Sequence, residues 1–236
     1  MRINKYIASC GVCSRRKAEE FVLQGKVKVN GKVIANLATD IDETNDTVIV
    51  DGQRITPVSR FIYIMMYKPK GCVCTLKDEK GRKTVLDYLG DFEGKRIFPV
   101  GRLDYDTEGL LLLTNDGDFS NRLMQPSSEI PKTYIAKVEG EIPESDLARL
   151  RKGVTIDGVK LNRCKIKVLG VENNISRLEI TIYEGKNREI HKMFETIGKE
   201  IIFLKRVKIG DLKLGGLARG SYRYLTDKEL NLLKRL

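Results

Sequence analysis

One short stretch of this sequence holds the side chains best suited to chemistry. In VGRLDYDTEGLLLLTNDGD, residues 100–118, Arg102 is followed at alternate positions by Asp104, Asp106 and Glu108. Three such carboxylates could hold Mg²⁺ for phosphoryl transfer. A single aspartate kept ionised by a cationic neighbour could instead act as a nucleophile or a base, and an acidic surface loop is a third interpretation. The residue types alone leave these alternatives open.

The acidic loop is positioned by the apolar run that follows it. Leu110 to Leu113 has the length of a buried strand and is ended by Asn115, Asp116 and Gly117. A strand of four leucines must be buried, so the loop is predicted to be held rigidly at the edge of a strand.

Other catalytic groups are sparse. His191 is the only histidine, which excludes a histidine-rich metal site and disfavours serine–histidine hydrolysis. Neither a GxxxxGK[ST] loop nor a GxGxxG turn between a strand and a helix occurs. Cys10 and Cys13 form one CxxC pair without the second pair that a zinc site requires, and five cysteines without a secretory signal indicate reduced thiols. We therefore expect no metal and no cofactor.

The net charge indicates a polyanionic partner. Among 236 residues, 43 Lys and Arg outnumber 32 Asp and Glu, giving a formal charge of +11. The longest apolar runs, IYIMMY and LLLL, are too short to span a bilayer, and the first residues lack the apolar stretch of a signal peptide. We expect a cytoplasmic protein, without membrane attachment, that acts as a monomer.

The first sixty residues predict two helices followed by strands. Ser14 is a good N-cap for the helix RRKAEEFVLQ, Gly25 ends it, and Asn30-Gly31 is a strong hairpin signal. This helix and hairpin are rich in basic side chains, which we expect to contact nucleic acid. These side chains are Arg15, Arg16, Lys17, Lys26, Lys28 and Lys32.

This N-terminal pattern resembles a known RNA-binding module. IASCGVCSRRKAEEFVLQGKVKVNGKV is similar to the alpha-L module named for small-subunit ribosomal protein four, and the similarity covers about residues 1–55. The resemblance implies a structured RNA partner and no catalysis. TPVSR, residues 56–60, has the composition of a linker, so we predict a small α+β RNA-binding domain at 1–58 and a second domain at 59–236.

The second domain mixes strands and helices without a regular βα repeat. Strands are predicted at Phe61–Tyr67, Cys72–Thr75 and Lys132–Val138, and a helix at Lys186–Ile197. This irregular order favours an α+β domain built on a mostly antiparallel or mixed sheet.

Four motifs of this domain resemble one enzyme family. GRLDYDTEGLLLLTNDG is similar to the signature of the RsuA/RluB-type pseudouridine synthases of ribosomal RNA. YKPKG at 67–71, KTY at 132–134 and EGKNREIHKMF at 184–194 match further family motifs in order and spacing. The resemblance covers nearly all of residues 61–226. It implies a pseudouridine synthase fold and a cofactor-free isomerisation of uridine in ribosomal RNA.

The resemblance also implies roles for individual residues. Asp104 matches the catalytic aspartate, Arg102 the arginine of GRLD, and Tyr134 the tyrosine that stacks on the target base. Because enzymes that act on a base take it out of the stack, we expect an aromatic platform and an arginine that fills the vacated space. Asp104 would either attack the nucleotide covalently or remove a sugar proton, and both routes need an ionised carboxylate.

The helix motif departs from the family pattern at one position. Where this sequence has His191, the family usually has an Arg or Lys that pairs with the catalytic aspartate. Lys192 or Arg188 could take over this pairing. Alternatively, a protonated His191 could pair with Asp104, which would make activity sensitive to pH.

The C-terminal part of the chain is predicted to line the RNA groove. From Lys186 onward, 13 Lys and Arg face 6 Asp and Glu, an excess of seven positive charges that includes Lys186 and Arg206. KTYIAKVEG and LKRVKIGDLKLGGLARGSYRYLT resemble the branch that modifies the large subunit more than the small-subunit branch. Two other classes remain as alternatives, a non-catalytic ribosome-assembly factor and a metal-dependent nuclease using Asp104, Asp106 and Glu108.

Overall fold

A computed structural model describes residues 1–92 and 94–236 of the chain. These residues divide into two compact units. The first comprises Met1–Ile62, Asp91–Phe98 and Thr114–Asp118, and the second comprises Tyr63–Gly90, Pro99–Leu113 and Phe119–Leu236. Within the described residues, no helix is long and apolar enough to cross a membrane.

The first unit contains two helices and a four-stranded antiparallel sheet in the order β2-β1-β3-β4. Its elements are α1 (Ile3–Ser9), α2 (Arg15–Leu23), β1 (Val27–Val29), β2 (Lys32–Val33), β3 (Val48–Val50) and β4 (Gln53–Ile55). The Ser14 side chain accepts a hydrogen bond from the Lys17 amide at 3.2 Å, which caps α2 as predicted. Asn30 and Gly31 both have positive φ, which confirms the predicted hairpin turn.

A nine-stranded sheet is the main element of the second unit, in the order β11-β12-β8-β13-β7-β5-β15, with β14 beside β13 and β6 beside β7. Its strands are β5 (Tyr63–Lys68), β6 (Phe98–Val100), β7 (Glu108–Thr114), β8 (Lys132–Glu139), β11 (Lys165–Glu172), β12 (Ile175–Ile182), β13 (Ile201–Ile209), β14 (Leu212–Lys213) and β15 (Tyr222–Tyr224). β9 (Thr155–Ile156) and β10 (Val159–Lys160) form a separate hairpin. The parallel pairing of β7 with β13, among antiparallel pairs, confirms the predicted mixed sheet.

Among the described residues, four α-helices accompany this sheet: α3 (Gly117–Met124), α4 (Glu144–Arg151), α5 (Glu189–Glu195) and α6 (Asp227–Lys234). The strand predicted at Cys72–Thr75 is wrong, because only one isolated bridge, from Val73 to Thr84, forms there. The thiols of this segment bond to the main chain of loops, which holds it as a loop. Helix α5 begins three residues later than predicted because Arg188 adopts a left-handed conformation.

Side chains on the central strands alternate between the two faces of the nine-stranded sheet. Tyr134 of β8 lies in register with Arg206 of β13, and Lys137 lies in register with Phe203. The first pair therefore faces one side of the sheet and the second pair the other. Leu110–Leu113 is almost fully buried, so the leucine strand fixes the acidic loop that precedes it.

Gly109 is required where β7 meets β13. Its φ is +113°, and a Cβ at this position would lie 2.2 Å from the Arg206 carbonyl oxygen. We expect Gly109→Ala to lower the free energy of unfolding by about 3 kcal/mol or more, since neither main chain can move without breaking the sheet. Urea unfolding measures this loss. Gly117→Ala is the control, because its Cβ would meet no atom within 4 Å; equal effects of the two changes would contradict the prediction.

Candidate active site

A cavity of about 620 Å³ in the second unit brings together seven of the residues singled out by sequence. The loop between β6 and β7, strand β8, helix α5 with the loop before it, and β13 form its walls. The predicted site residues that line it are Arg102, Asp104, Tyr134, Lys186, Arg188, His191 and Arg206. Residues separated by up to about a hundred positions thus converge on one cavity.

The loop that carries Asp104 is held by a buried ammonium group. Lys68 is fully buried, and its Nζ donates hydrogen bonds to the carbonyl oxygens of Pro69 (3.0 Å), Asp104 (2.9 Å) and Thr107 (2.8 Å). Burial lowers the pKa of Lys68, and the negative charge of neighbouring groups, including Asp104, opposes this shift. The sequence motif YKPKG contained Lys68 but gave no sign that it fixes the acidic loop.

The Asp104 carboxylate is half-buried and lines the cavity. Within the described part of the chain, no Lys, Arg or His nitrogen lies within 4 Å of it, and its side chain makes no hydrogen bond. The main chain of Asp104, in contrast, is held by Lys68 and by the Thr107 amide, which donates to the Asp104 carbonyl at 3.1 Å. This leaves the carboxylate available to a molecule in the cavity.

Two of the three side chains proposed as partners for Asp104 lie beside Asp106 instead. Arg188 Nη1 lies 3.1 Å from Asp106 Oδ2, and His191 Nε2 lies 3.7 Å from the same oxygen. Burial alone would raise the pKa of Asp106, but the hydrogen bond and charge of Arg188, together with His191, hold this pKa below its ordinary value. Arg188 reaches this position from a left-handed conformation (φ +51°), a strained geometry that is frequent at functional sites.

The remaining candidate, Lys192, lies away from Asp104, and the surroundings of His191 disfavour its protonated form. Lys192 Nζ pairs with Asp157 at 2.6 Å. Burial, followed by the positive charge of Arg188, lowers the pKa of His191 below its ordinary value. This shift disfavours a protonated His191, and the ring nitrogen Nε2 lies beside Asp106 and not within 4 Å of the Asp104 carboxylate.

Tyr134 and Arg206 face the cavity from adjacent strands. Tyr134 is 7% exposed and Arg206 4% exposed. Arg206 Nε donates to the Leu110 carbonyl at 2.7 Å, and within the described residues its Nη2 is buried without a hydrogen-bond partner. Arg206 was predicted to line the RNA groove. It lies inside the cavity, because its position on β13 directs its side chain away from solvent.

The three carboxylates of the acidic loop have different surroundings. Glu108 is buried in β7, where it accepts a hydrogen bond from the Tyr67 hydroxyl at 2.6 Å and pairs with Arg219. Asp106 pairs with Arg188, while Asp104 faces the cavity. Among the residues that the structure describes, no three His, Cys, Asp or Glu side chains are arranged to hold a metal. The three acids therefore have different partners.

Glu189 is a buried acid of the cavity wall that sequence reasoning did not select. It is 5% exposed, and its Oε2 accepts a hydrogen bond from the Lys186 amide at 2.8 Å. Burial raises its pKa to about 7, while this hydrogen bond and the positive charges of Lys186 and Lys132 act against the increase. Lys132 lines the same cavity, and there burial has the opposite effect and lowers the pKa of the amine.

The raised pKa of Glu189 predicts a pH-dependent stability. Between pH 4.5, the ordinary pKa of a glutamate, and about pH 7, the unfolded chain releases this proton before the folded protein does. The unfolded state is then favoured as pH rises, and the free energy of unfolding should fall by roughly 2 kcal/mol across this window. Urea unfolding at about pH 5 and about pH 8 should show this loss in the native protein and not in Glu189→Gln. Glu195→Gln, on the exposed side of α5, should retain it; a loss that persists in Glu189→Gln would refute the assignment.

The basic side chains of the first unit are exposed as a group. Arg15, Arg16, Lys17, Lys26, Lys28 and Lys32 are all exposed. Lys17 pairs with Glu20 and Lys26 with Asp51. Within the described residues the other four have no ion pair, which leaves their charges available to a polyanion.

Comparison with known proteins gives consistent matches along the whole chain. A family model described as RNA pseudouridylate synthase matches residues 62–196, and an S4 domain model matches residues 1–48. The ribosomal large subunit pseudouridine synthase B of Bacillus subtilis is 45% identical, with 100% of this chain and 96% of that protein covered. The protein of the same name from Haemophilus influenzae is 39% identical over 100% of this chain and 67% of its own length. A crystal structure of a pseudouridylate synthase superposes with a TM-score of 0.73 at 30% identity, covering 99% of both chains.

Proposed function

Since this chain belongs to the RNA pseudouridylate synthase family, we propose that it converts a uridine of large-subunit ribosomal RNA to pseudouridine. The two relatives named as acting on the large ribosomal subunit support this choice of RNA. The reaction takes place in the cytoplasm, needs no cofactor, and is carried out by a monomer. The observation that carries the proposal is the meeting of Asp104, Tyr134 and Arg206 in one cavity.

The cavity suits a nucleotide taken out of its helix. Its volume of about 620 Å³ is in the range of pockets that hold small organic ligands. Tyr134 provides an aromatic surface for the uracil ring, and the buried Arg206 Nη2 donates to an oxygen of the nucleotide. Arg102 is exposed at the cavity and occupies the space that the base leaves in the RNA.

The isomerisation breaks one bond and forms another to the same sugar. The bond from uracil N1 to ribose C1′ is broken, the uracil turns, and C5 bonds to C1′. C5 then loses its proton, and N1 gains one, so no atoms are lost and no cofactor is required. Asp104 acts first, by covalent attack or by removal of a sugar proton, and Tyr134 accepts or relays the C5 proton through its hydroxyl.

The two domains have different functions. The domain at 1–58 docks on structured RNA through the basic side chains of α2 and the β1–β2 hairpin. The domain at 59–236 binds and isomerises the uridine. Lys186 lies at the cavity and pairs with Glu184 at 2.7 Å, so its contribution to RNA binding requires that pair to open or to be shared.

Mapping of pseudouridine tests this function directly. The protein is incubated in EDTA with unmodified large-subunit or small-subunit ribosomal RNA, and pseudouridine is located by carbodiimide-blocked primer extension. A new stop in the large-subunit RNA alone is expected. Modification of only the small-subunit RNA would refute the choice of substrate. Magnesium-dependent strand cleavage would indicate a nuclease, and tight binding without modification an assembly factor.

A further inference from the structure

The face of the nine-stranded sheet opposite the active-site cavity carries a second groove. Its volume is about 890 Å³, and it is formed by β8, β12, β13 and the bulged strand β11. Because side chains alternate along a strand, Tyr134 and Arg206 line the cavity while Lys137 and Phe203 line the groove. The sheet therefore separates the two sites, and the proposed reaction uses no residue of the groove.

The groove holds cations that no carboxylate neutralises. Lys137 of β8 lies directly opposite Arg177 of β12, an arrangement of like charges that destabilises a sheet. Lys205 of β13 lines the same groove. In the part of the chain that the structure describes, none of the three has an acidic oxygen within 4 Å, and Glu172 is the one acid among the lining residues. This excess of positive charge favours a polyanionic occupant.

An aromatic ring lies among these cations. Phe203 is partly exposed, with Lys70 Nζ 5.2 Å and Lys137 Nζ 5.9 Å from the centre of its ring. Leu169 and Val171 of β11 are 40% and 47% exposed at the groove, so apolar surface continues beside the ring. Aromatic rings on a sheet face flanked by basic side chains are a common platform for unpaired bases, whose phosphates bind the cations.

We propose that this groove binds a single-stranded RNA segment, with one base stacked on Phe203 and the phosphates held by Lys137, Arg177 and Lys205. The charge selects a polyanion, and the accessible ring selects unpaired bases over a duplex, in which the bases are already stacked. The groove thereby adds a contact for RNA outside the modified uridine, on the side of the sheet away from Asp104.

Photo-crosslinking to a 12-nucleotide oligoadenylate tests the proposal with the full-length protein. This RNA contains no uridine, so its binding does not depend on the isomerisation. The experiment therefore tests the groove separately from the proposed reaction. Crosslinked peptides are identified by mass spectrometry. We expect a crosslink within Ile201–Ile209 that falls by about fivefold or more in Phe203→Leu, which keeps an apolar side chain and removes the stacking surface.

Paired charge removal provides the matched control. The double variant Lys137→Gln with Arg177→Gln should lower this crosslink by a similar factor. The slope of the logarithm of the binding constant against the logarithm of salt concentration should become shallower by about 1.4. Lys152→Gln with Arg163→Gln removes the same charge from exposed positions outside the groove and should change either quantity by less than twofold. Equal losses in both pairs, or crosslinks confined to other segments, would overturn the proposal. The proposal would also be overturned if Phe203→Leu left the crosslink unchanged and oligoglutamate displaced the RNA. That result would indicate an acidic protein partner.

Discussion

Replacing Asp104 by asparagine should reduce the single-turnover rate of pseudouridine formation by at least about a thousandfold. Asparagine keeps the shape of the side chain and cannot be ionised, so it serves neither as a nucleophile nor as a base. The fold should be retained, because Lys68 and Thr107 bond to the main chain of residue 104 and, among the described residues, no group forms a hydrogen bond or ion pair with its carboxylate. The measurement is the rate with saturating enzyme on large-subunit ribosomal RNA, together with the urea midpoint.

Asp106→Asn is the matched control for this experiment. Asp106 is two residues away, and its carboxylate is held by Arg188 rather than directed into the cavity. Its replacement weakens a partly exposed ion pair, which contributes about 1 kcal/mol or less. We therefore expect a rate within about tenfold of the native protein. A rate for Asp104→Asn within the same range, or a greater loss in Asp106→Asn, would remove Asp104 from the reaction.

Replacing Lys68 by methionine should lower the free energy of unfolding by about 3 kcal/mol and also slow the reaction. Methionine fills a similar volume but leaves the carbonyl oxygens of Pro69, Asp104 and Thr107 without their shared donor. Each buried oxygen that loses its hydrogen bond costs on the order of 1 kcal/mol or more. The loop can relax only by moving the Asp104 main chain, so the catalytic carboxylate would be misplaced.

Two measurements separate the stability effect from the catalytic one. Urea unfolding gives the loss of stability, and single-turnover assays well below the unfolding midpoint give the rate of the folded variant. Lys77→Met, at an exposed position in the following loop, is the control and should leave both quantities nearly unchanged. A folded Lys68→Met protein with the native rate would show that Lys68 stabilises the fold without positioning Asp104.

The departure at position 191 has a structural explanation. The family pattern led us to expect a cation that pairs with Asp104, and His191, Lys192 and Arg188 were the candidates. Arg188 pairs with Asp106, Lys192 pairs with Asp157, and burial lowers the pKa of His191. We infer that His191 packs and orients the acidic loop without supplying charge to Asp104.

The sequence determined the local structure of the chain because short-range forces decide it. Ser14 caps α2, Asn30 and Gly31 form a hairpin turn, and Leu110–Leu113 is a buried strand, each as predicted. The same patterns predicted the two-part organisation and a mixed sheet. The resemblance to the pseudouridine synthases also led us to expect Asp104 and Tyr134 in one site, and both line one cavity.

Only the tertiary structure decided how the site is held and charged. Lys68 donates to carbonyls that are 36 and 39 residues away in the sequence, and a lysine at a strand end is ordinarily solvated. Whether Arg206 faces solvent or the cavity, and whether Glu189 is ionised, depends on which strands and helices cover them. Burial and the partners of buried groups arise from contacts between distant segments, and side-chain type does not encode them. The acidic loop is recognisable in the sequence, but only the packing around it determines that Asp104 is the one of its three carboxylates that faces the cavity.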